Sequence, residues 1–319
     1  MIEIRDLQKC FDFGRGQTLH AVDGVSLTIE DNTVVGLVGE SGSGKSTFAK
    51  VLVGLHDKSG GEIFYRGQRL PDRYRSKDYR RLSKDIQMIF QDPYASLNPR
   101  MTIEEILTEP LRLQKWGATK TRREKATKWL QRVNLQAAHL GRYPHEFSGG
   151  QRQRIGIARA LIAEPKFVVC DEPISALDVS VQAQIINLLA ELQQTMGLTL
   201  LFIAHDLSMV RYISDVMVVM YLGAVVEQGP ADQVFFNPQH PYTQALIKSN
   251  PVADPTRERH RQHDLIDGEV PSPVNLPPGC RFAGRCDRAI ERCHRERPLL
   301  KQVNQHQWAA CHLVDAVGV

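Results

Sequence analysis

The sequence predicts an α/β fold built around a mainly parallel β-sheet. From residue 2 to about residue 235, apolar runs typical of strands alternate with apolar residues at helical spacing, as this class of fold requires. The runs at residues 167–170 and 199–204 are almost continuously apolar, which is typical of strands covered on both faces. Between about residues 92 and 165 the apolar spacing is helical, and this indicates an inserted helical lobe.

Shorter patterns define the individual elements. The polar and apolar residues alternate where a strand has one buried face, and they recur every three or four positions where a helix has one buried face. On this basis the sequence predicts strands at residues 22–29, 34–38, 62–65 and 86–90 and helices at residues 47–55 and 181–196.

Composition narrows the class of protein. The chain has 319 residues, of which 42% are hydrophobic, enough for one large domain with an appendage or for two domains. Its formal charge of +4 does not require nucleic acid as a partner. The first residues lack the pattern of a secretory signal, and the longest uncharged apolar stretch, residues 216–226, is shorter than the ~20 residues that span a bilayer. We therefore expect a chain that does not cross a membrane and whose cysteines are reduced or metal-bound.

A glycine-rich segment with the pattern G-x-x-x-x-G-K-S follows the predicted strand at residues 34–38. The backbone N–H groups of such a loop surround a phosphate chain, its lysine reaches the β and γ oxygens, and its serine hydroxyl ligates Mg²⁺. The sequence therefore predicts a nucleoside triphosphate site that contains Gly39, Ser41, Gly42, Ser43, Gly44, Lys45, Ser46 and Thr47.

Two adjacent acids, Asp171 and Glu172, end the apolar run at residues 167–170. At the carboxyl end of a strand, Asp171 is placed to hold Mg²⁺ through water, and Glu172 is placed to act as the general base on an attacking water. Such a pair also occurs in solvated turns, but its combination with a phosphate loop favours the catalytic interpretation.

A second glycine-containing segment, Ser148, Gly149, Gly150 and Gln151, precedes a helical pattern. Glycines at a helix N-terminus expose N–H groups and the positive end of the helix dipole, which suits a γ-phosphate. The alternative is an ordinary serine cap followed by two flexible glycines.

Four motifs occur in a fixed order: F-S-G-G-Q-R-Q-R at 147–154, C-D-E-P at 170–173, S-A-L-D at 175–178 and A-H-D at 204–206. Together with the phosphate loop they resemble the ATPase subunits of ABC transporters over residues 1 to about 235. The resemblance implies a P-loop NTPase of the ABC ATPase type, with ATP and Mg²⁺ as ligands. It also implies that Ser148 and Gly150 complete the ATP site of a facing subunit.

The resemblance assigns further roles residue by residue. Gln91 is the loop glutamine that senses Mg²⁺ and water and touches the membrane partner, Asp178 lies in the interface loop, and His205 contacts the γ-phosphate. Phe11 stacks on adenine, with Phe13 as a nearby alternative. The predicted catalytic residues are thus Lys45, Gln91, Glu172 and His205, and the predicted Mg²⁺ ligands are Ser46, Gln91 and Asp171.

Three further segments resemble the dipeptide/oligopeptide importer subfamily: residues 91–100, residues 237–243 and residues 271–280. That subfamily implies a heterodimer with a second, paralogous ATPase subunit, two transmembrane permease subunits and an extracytoplasmic peptide-binding protein. It also implies a peripheral location at the cytoplasmic face of the plasma membrane. Alternative cargoes are nickel, glutathione or antimicrobial peptides. A soluble ABC-type ATPase acting on nucleic acid or ribosomes is the alternative from a different class. Such proteins tend to carry two ATPase cassettes in one chain or a long coiled-coil insertion, and this sequence contains neither.

Three regions follow from these patterns. The nucleotide-binding domain covers residues 1–235, and a proline-containing linker covers residues 236–278. A small extension at residues 279–319 contains Cys280, Cys286, Cys293 and Cys311.

Four thiolates hold Zn²⁺ or an iron–sulfur cluster in other proteins. Zinc knuckles favour two short C-x2–4-C pairs, which this extension lacks. The subfamily resemblance implies a [4Fe–4S] cluster, with Zn²⁺ and unmetallated thiols as the alternatives.

Overall fold

The structure is a computed structural model that describes residues 1–14, 16–175, 177–249, 271–274 and 276–315. The chain forms two compact units, each treated by itself below. The first comprises Met1–Ile29, Val34–Asp72 and Ala204–Val319, and the second comprises Glu30–Thr33 and Arg73–Ile203. Among the described residues, no helix combines the length and the apolar character that crossing a membrane requires.

The strands are β1 (Ile2–Asp12), β2 (Thr18–Ile29), β3 (Val34–Val38), β4 (Gly60–Tyr65), β5 (Gln68–Arg69), β6 (Ile86–Ile89), β7 (Phe167–Asp171), β8 (Thr199–Ile203), β9 (Val216–Tyr221), β10 (Ala224–Pro230), β11 (Lys301–Asn304) and β12 (Gln307–Ala309). The α-helices are α1 (Lys45–Leu52), α2 (Ser76–Leu82), α3 (Pro93–Ser96), α4 (Ile103–Leu113), α5 (Thr119–Arg132), α6 (Gly149–Leu161), α7 (Val179–Met196), α8 (Leu207–Ile213), α9 (Ala231–Phe236), α10 (Pro241–Lys248) and α11 (Glu291–Arg295).

The first unit contains two groups of strands. One is an antiparallel sheet in the order β2-β1-β4-β5. In the other, β3 and β9 are parallel, and β9, β10, β12 and β11 follow as antiparallel neighbours. The cysteine-containing extension is therefore part of this sheet, because β12 pairs with β10 through Glu227 opposite Ala309 and Gln228 opposite Trp308.

The second unit contains the parallel strands β8, β7 and β6 in that order. Every residue of β7 and β8 is buried, as the nearly continuous apolar runs predicted. Between residues 93 and 161 all regular elements of the described chain are helices, in the range where the sequence predicts the helical lobe. The aliphatic face of α4 and Trp129 of α5 supply buried side chains there.

Local sequence sets several helix ends in the second unit. Thr102 begins α4 with a capping box, in which its side chain accepts from the N–H of Glu105 and the Glu105 carboxylate accepts from the N–H of Thr102. These two bonds satisfy N–H groups that have no partner inside the helix. Gly197 ends α7 with a φ of 60°, a left-handed conformation that glycine adopts without a steric penalty.

The first part of the segment predicted to be a linker, residues 236–278, contains a helix. Residues 241–248 form α10, which begins with a proline at a position where helices tolerate it. Tyr242 in α10 is fully buried, and its hydroxyl accepts a 2.9 Å hydrogen bond from the N–H of Glu40. The polar residues around Tyr242 gave no indication that its side chain is buried. The burial comes from contacts with residues distant in sequence. Residues 250–270, the middle of the predicted linker, lie outside the described residues.

Candidate functional site

The phosphate-binding loop follows β3 and depends on two glycines. Gly39 has a φ of 151°, and a Cβ atom there would lie 2.2 Å from the carbonyl oxygen of Met220. Gly44 has a φ of 99°, and a Cβ atom there would lie 2.0 Å from the carbonyl oxygen of Ala21. Side chains at these positions would collide with backbone, so the loop can follow this path only with glycine.

Lys45, the first residue of α1, lies against this loop. Its side chain is buried, and its Nζ donates to the carbonyl oxygens of Gly39 at 2.7 Å and Glu40 at 2.9 Å and to Oγ of Ser43 at 3.3 Å. Ser41 and Gly42 are exposed at the tip of the loop, and Ser46 and Thr47 are half-buried in the first turn of α1. The loop and the N-terminus of α1 thus form the arrangement that binds phosphate in other proteins.

His205 belongs to the same unit as the loop. The N–H of the preceding residue, Ala204, donates to the carbonyl oxygen of Leu37 in β3 at 3.4 Å. The following residue, Asp206, caps α8 by accepting from the N–H groups of Ser208 and Met209. His205 itself is exposed. It lies between Ala204, which is hydrogen-bonded to β3, and Asp206, which caps α8.

Phe11 is half-buried in β1. The Lys9 ammonium lies 4.7 Å from its ring centroid, and the His56 ring meets it edge-on at 5.6 Å. Phe13, the alternative, has 67% of its surface exposed. Adenine stacking by Phe11 stays a prediction.

In the second unit, Gln91 and Glu172 lie together. Nε2 of Gln91 donates to Oε2 of Glu172 at 2.7 Å, which leaves Oε1 of Gln91 as an oxygen donor for a cation. Glu172 has a φ of 45°, a conformation that is uncommon for residues other than glycine and that occurs often at functional sites. Asp171, directly before it, is buried at the end of β7. The structure therefore brings two of the predicted catalytic side chains into direct contact.

Ser148 and Gln151 form a capping box at the start of α6. The N–H of Ser148 donates to Oε1 of Gln151 at 3.0 Å, and the N–H of Gln151 donates to Oγ of Ser148 at 3.4 Å. Within this chain, Ser148 therefore has the bonding of an ordinary cap, which was the alternative interpretation. The helix N-terminus is also held close to α7, since a Cβ atom at Gly150 would lie 2.5 Å from Cγ1 of Val181. Gly149 is half-buried, and Asp178 is exposed immediately before α7.

The predicted Mg²⁺ ligands are a hydroxyl, an amide and a carboxylate, and their oxygen atoms are the donors that Mg²⁺ prefers. Ser46 belongs to the first unit, and Gln91 and Asp171 belong to the second. The residue types thus fit the ion.

Two family models match the chain. "ABC transporter" matches residues 22–175, and "Oligopeptide/dipeptide transporter, C-terminal region" matches residues 226–293. The oligopeptide transport ATP-binding protein OppF of Salmonella typhimurium is 49% identical over 324 residues, which cover 99% of this chain and 96% of that protein. The putative oligopeptide transport ATP-binding protein YkfD of Bacillus subtilis is 50% identical over 98% of this chain and 95% of its own length. The chain belongs to the ABC transporter ATP-binding proteins.

A solved structure gives the same result for the fold of this ABC ATPase. The ATP-binding cassette MJ0796, in a dimeric post-hydrolysis state bound to ADP and phosphate, is 28% identical with a TM-score of 0.67 and covers 72% of this chain and 99% of its own. The predicted family, the P-loop NTPase fold of the ABC type and ATP hydrolysis are confirmed. The domain boundaries and the roles of individual site residues stay predictions.

The four cysteines of the extension are free thiols. The pKa of Cys280 is raised to about 11, chiefly by burial; an N–H group of Phe282 lowers this pKa, and Cys293, Cys311 and Cys286 contribute to raising it. The four thiols are thus electrostatic neighbours. In the part of the chain that the structure describes, no three His, Cys, Asp or Glu side chains are arranged to hold a single metal ion.

The ABC ATPase also has a site residue that the sequence did not indicate. Arg285, in the 3₁₀ turn Ala283–Arg285 of the extension, donates from Nη1 to Oε2 of Glu40 at 2.9 Å and from Nη2 to Oε1 at 3.2 Å. Glu40 is the second residue of the phosphate loop, 245 positions away in sequence. No periodicity or motif relates residues so distant, so only the structure shows this pair.

Proposed function

We propose that this ABC ATPase energises the import of oligopeptides through a membrane transporter. The observation that carries the proposal is the similarity to oligopeptide transport ATP-binding proteins along 98–99% of the chain. The match to the C-terminal region of oligopeptide/dipeptide transporters adds to it. Neither relative is named for nickel, glutathione, antimicrobial peptides or nucleic acid, so none of the alternative functions has comparable support.

Binding of ATP rests on the first unit. The loop amides and the Lys45 ammonium hold the β and γ phosphates, because phosphoryl transfer asks a protein mainly for positioning and charge stabilisation. His205 contacts the γ-phosphate. Ser46, Gln91 and Asp171 would hold Mg²⁺, and the bound ion would neutralise charge on the triphosphate.

Hydrolysis rests on Glu172 in the second unit. Its carboxylate orients the attacking water and accepts its proton, as a general base does. The 2.7 Å bond from Gln91 supports this assignment, because it fixes the direction of the Glu172 carboxylate. The resemblance implies that Gln91 contacts the membrane partner. A movement of that partner would therefore shift Gln91 and change its hydrogen bond to Glu172, the proposed base.

The proposed assembly has two ATPase subunits. This chain pairs with a second, paralogous ATPase beneath two permease subunits that receive cargo from an extracytoplasmic peptide-binding protein. It lies peripherally at the cytoplasmic face of the membrane. Ser148 and Gly150 act in trans, on ATP held by the paralogous subunit, and Asp178 lies at the interface between the two.

A [4Fe–4S] cluster held by Cys280, Cys286, Cys293 and Cys311 is part of the proposal. Three of the sulfurs accept a hydrogen bond from the backbone N–H of the residue two positions later. The donors are Phe282 for Cys280, Arg288 for Cys286 and Leu313 for Cys311. Such N–H groups stabilise thiolates and surround the sulfurs of iron–sulfur clusters.

The spacing of the cysteines in the sequence favours the cluster over zinc. Zinc knuckles favour two short C-x2–4-C pairs, and the extension lacks such a pair.

Reconstitution tests the transport function. The chain is purified with its co-encoded partners, placed in vesicles, and its ATP turnover is measured with the binding protein and defined peptides of two to eight residues. We expect peptides to stimulate turnover and to accumulate inside vesicles that present the binding protein on the appropriate side. Stimulation by Ni²⁺ or glutathione, with none by peptides, would assign a different cargo.

A further inference from the structure

The phosphate-binding loop is held from outside at Glu40. The Glu40 carboxylate accepts hydrogen bonds from Nη1 and Nη2 of Arg285. The side chains of Glu40 and Arg285 are only 21% and 7% exposed. A bidentate arginine–carboxylate pair fixes orientation as well as charge. Its partial burial reduces the screening that makes exposed pairs weak.

A cluster of aromatic rings supports the same contact. The N–H of Glu40 donates to the hydroxyl of Tyr242 at 2.9 Å, and Arg285 also donates to the hydroxyl of Tyr221 at 3.3 Å. The rings of Tyr221 and Tyr242 lie 4.6 Å apart, and the ring of Phe282 meets each of them at 5.4 Å. Arg285 is therefore held in place by packed rings, and both the side chain and the N–H of Glu40 have partners outside the loop.

Glu40 also contacts the phosphate-binding lysine, Lys45. The carbonyl oxygen of Glu40 accepts from Nζ of Lys45 at 2.9 Å. One residue, Glu40, thus joins the Arg285 guanidinium to the Lys45 ammonium. A shift of Glu40 moves a carbonyl group that helps to set the position of Lys45.

Charge gives a second reason for the pair. Glu40 places a carboxylate within a loop that binds a highly anionic triphosphate, and like charges repel strongly where solvent is partly excluded. Arg285 neutralises this carboxylate. Without Arg285, the loop would present an uncompensated negative charge to ATP.

We propose that Arg285 is a positioning residue for ATP binding, which holds Glu40 and cancels its charge. The C-terminal extension then contributes to the nucleotide affinity of its own chain. A merely structural ion pair would change the melting temperature of the protein without changing its affinity for nucleotide.

The test compares nucleotide affinity and turnover in the full-length chain. Binding of Mg-ATP is measured by titration calorimetry, and kcat and KM for ATP are measured in the assembled complex. For Arg285→Gln we expect Kd and KM for ATP to rise about tenfold, the size of effect typical of one charged hydrogen bond. We expect kcat at saturating ATP to stay within about twofold of the wild-type value, because Arg285 does not contact the reacting atoms.

Rescue separates charge from structure. Adding Glu40→Gln to Arg285→Gln removes the uncompensated carboxylate, so the double variant should recover about half of the lost affinity on a logarithmic scale. Arg295→Gln is the matched control, since Arg295 is an exposed arginine of the same extension whose partner is Glu291. We expect its ATP affinity to equal that of the wild type.

Two results would overturn the proposal: a folded Arg285→Gln variant with wild-type affinity for Mg-ATP, or an equal loss of affinity in Arg295→Gln. If Arg285→Gln does not fold, Arg285→Lys decides the question, because lysine keeps the positive charge but lacks the planar fork that binds both carboxylate oxygens of Glu40. Loss of the bidentate contact should then raise KM for ATP while kcat is retained, and an unchanged KM would refute the positioning role.

Discussion

In the first unit, the phosphate loop presents backbone groups and one buried ammonium, Lys45, which donates to two carbonyl oxygens of its own loop. In the second unit, the proposed catalytic groups are side chains, and Gln91 donates a hydrogen bond directly to Glu172. A loop that presents backbone groups suits binding, because its glycines fix the path of the chain. A pair of side chains suits control, because a movement of Gln91 would change the surroundings of Glu172, the proposed base. We therefore expect binding and hydrolysis to be separable by substitution.

Replacing the base should break hydrolysis alone and have the largest effect. Glu172→Gln keeps the shape of the side chain but cannot accept a proton, so we expect turnover in the assembled complex to fall 100-fold or more. ATP binding should be retained. Rapid quench measurements on the complex, with the partner's own site inactivated in both samples, give the comparison. Turnover close to that of the wild type would rule out Glu172 as the base.

Replacing the ammonium should break binding. Lys45→Ala removes a buried donor that is placed for the phosphates, and we expect affinity for Mg-ATP to fall about 10- to 100-fold, the range for hydrogen bonds to charged groups. Calorimetry on the isolated chain measures it. Arg123→Ala, an exposed cation of the second unit, should leave affinity unchanged. Equal affinities in Lys45→Ala and the wild type would show that the loop binds through backbone groups alone.

Ser148→Arg sharpens the comparison by testing a site completed in trans. Arginine at the start of α6 should block the facing subunit's ATP and reduce turnover there about tenfold or more, since it removes a cap and fills the space next to the glycines. Nucleotide binding to this chain alone should change little. A large loss of binding in the isolated chain would contradict a role confined to the facing site.

Cys286→Ser should have the smallest effect on turnover at saturating ATP, because Lys45, Gln91 and Glu172 all lie outside the extension. We expect the variant to lose bound iron and sulfide and to unfold its extension at lower temperature, as metal ligation supplies folding energy to small modules. Analysis after anaerobic purification should find four iron atoms per wild-type chain. One zinc per chain would support the alternative metal, and the absence of both would leave the thiols unmetallated.

The glycines show what sequence alone determines. The spacing of Gly39 and Gly44 predicts a phosphate loop, and the structure gives both glycines positive φ angles in tight surroundings. The nearly continuous apolar runs likewise predicted the buried strands β7 and β8. In each case the information lies within about ten neighbouring residues, where backbone sterics and side-chain periodicity act directly.

The tertiary structure alone decided how the C-terminal extension is used. Its strand β12 joins β10, Tyr242 is buried in a segment predicted to be a linker, and Arg285 binds Glu40. The local spacing of polar and apolar residues predicts none of these contacts, because their partners are distant in sequence and meet only in the folded protein. The sequence determined the chemistry of the ATP site, since that chemistry depends on residue type and short spacing. What holds the phosphate loop from outside depends on contacts between residues more than 200 positions apart, and only packing in three dimensions specifies them.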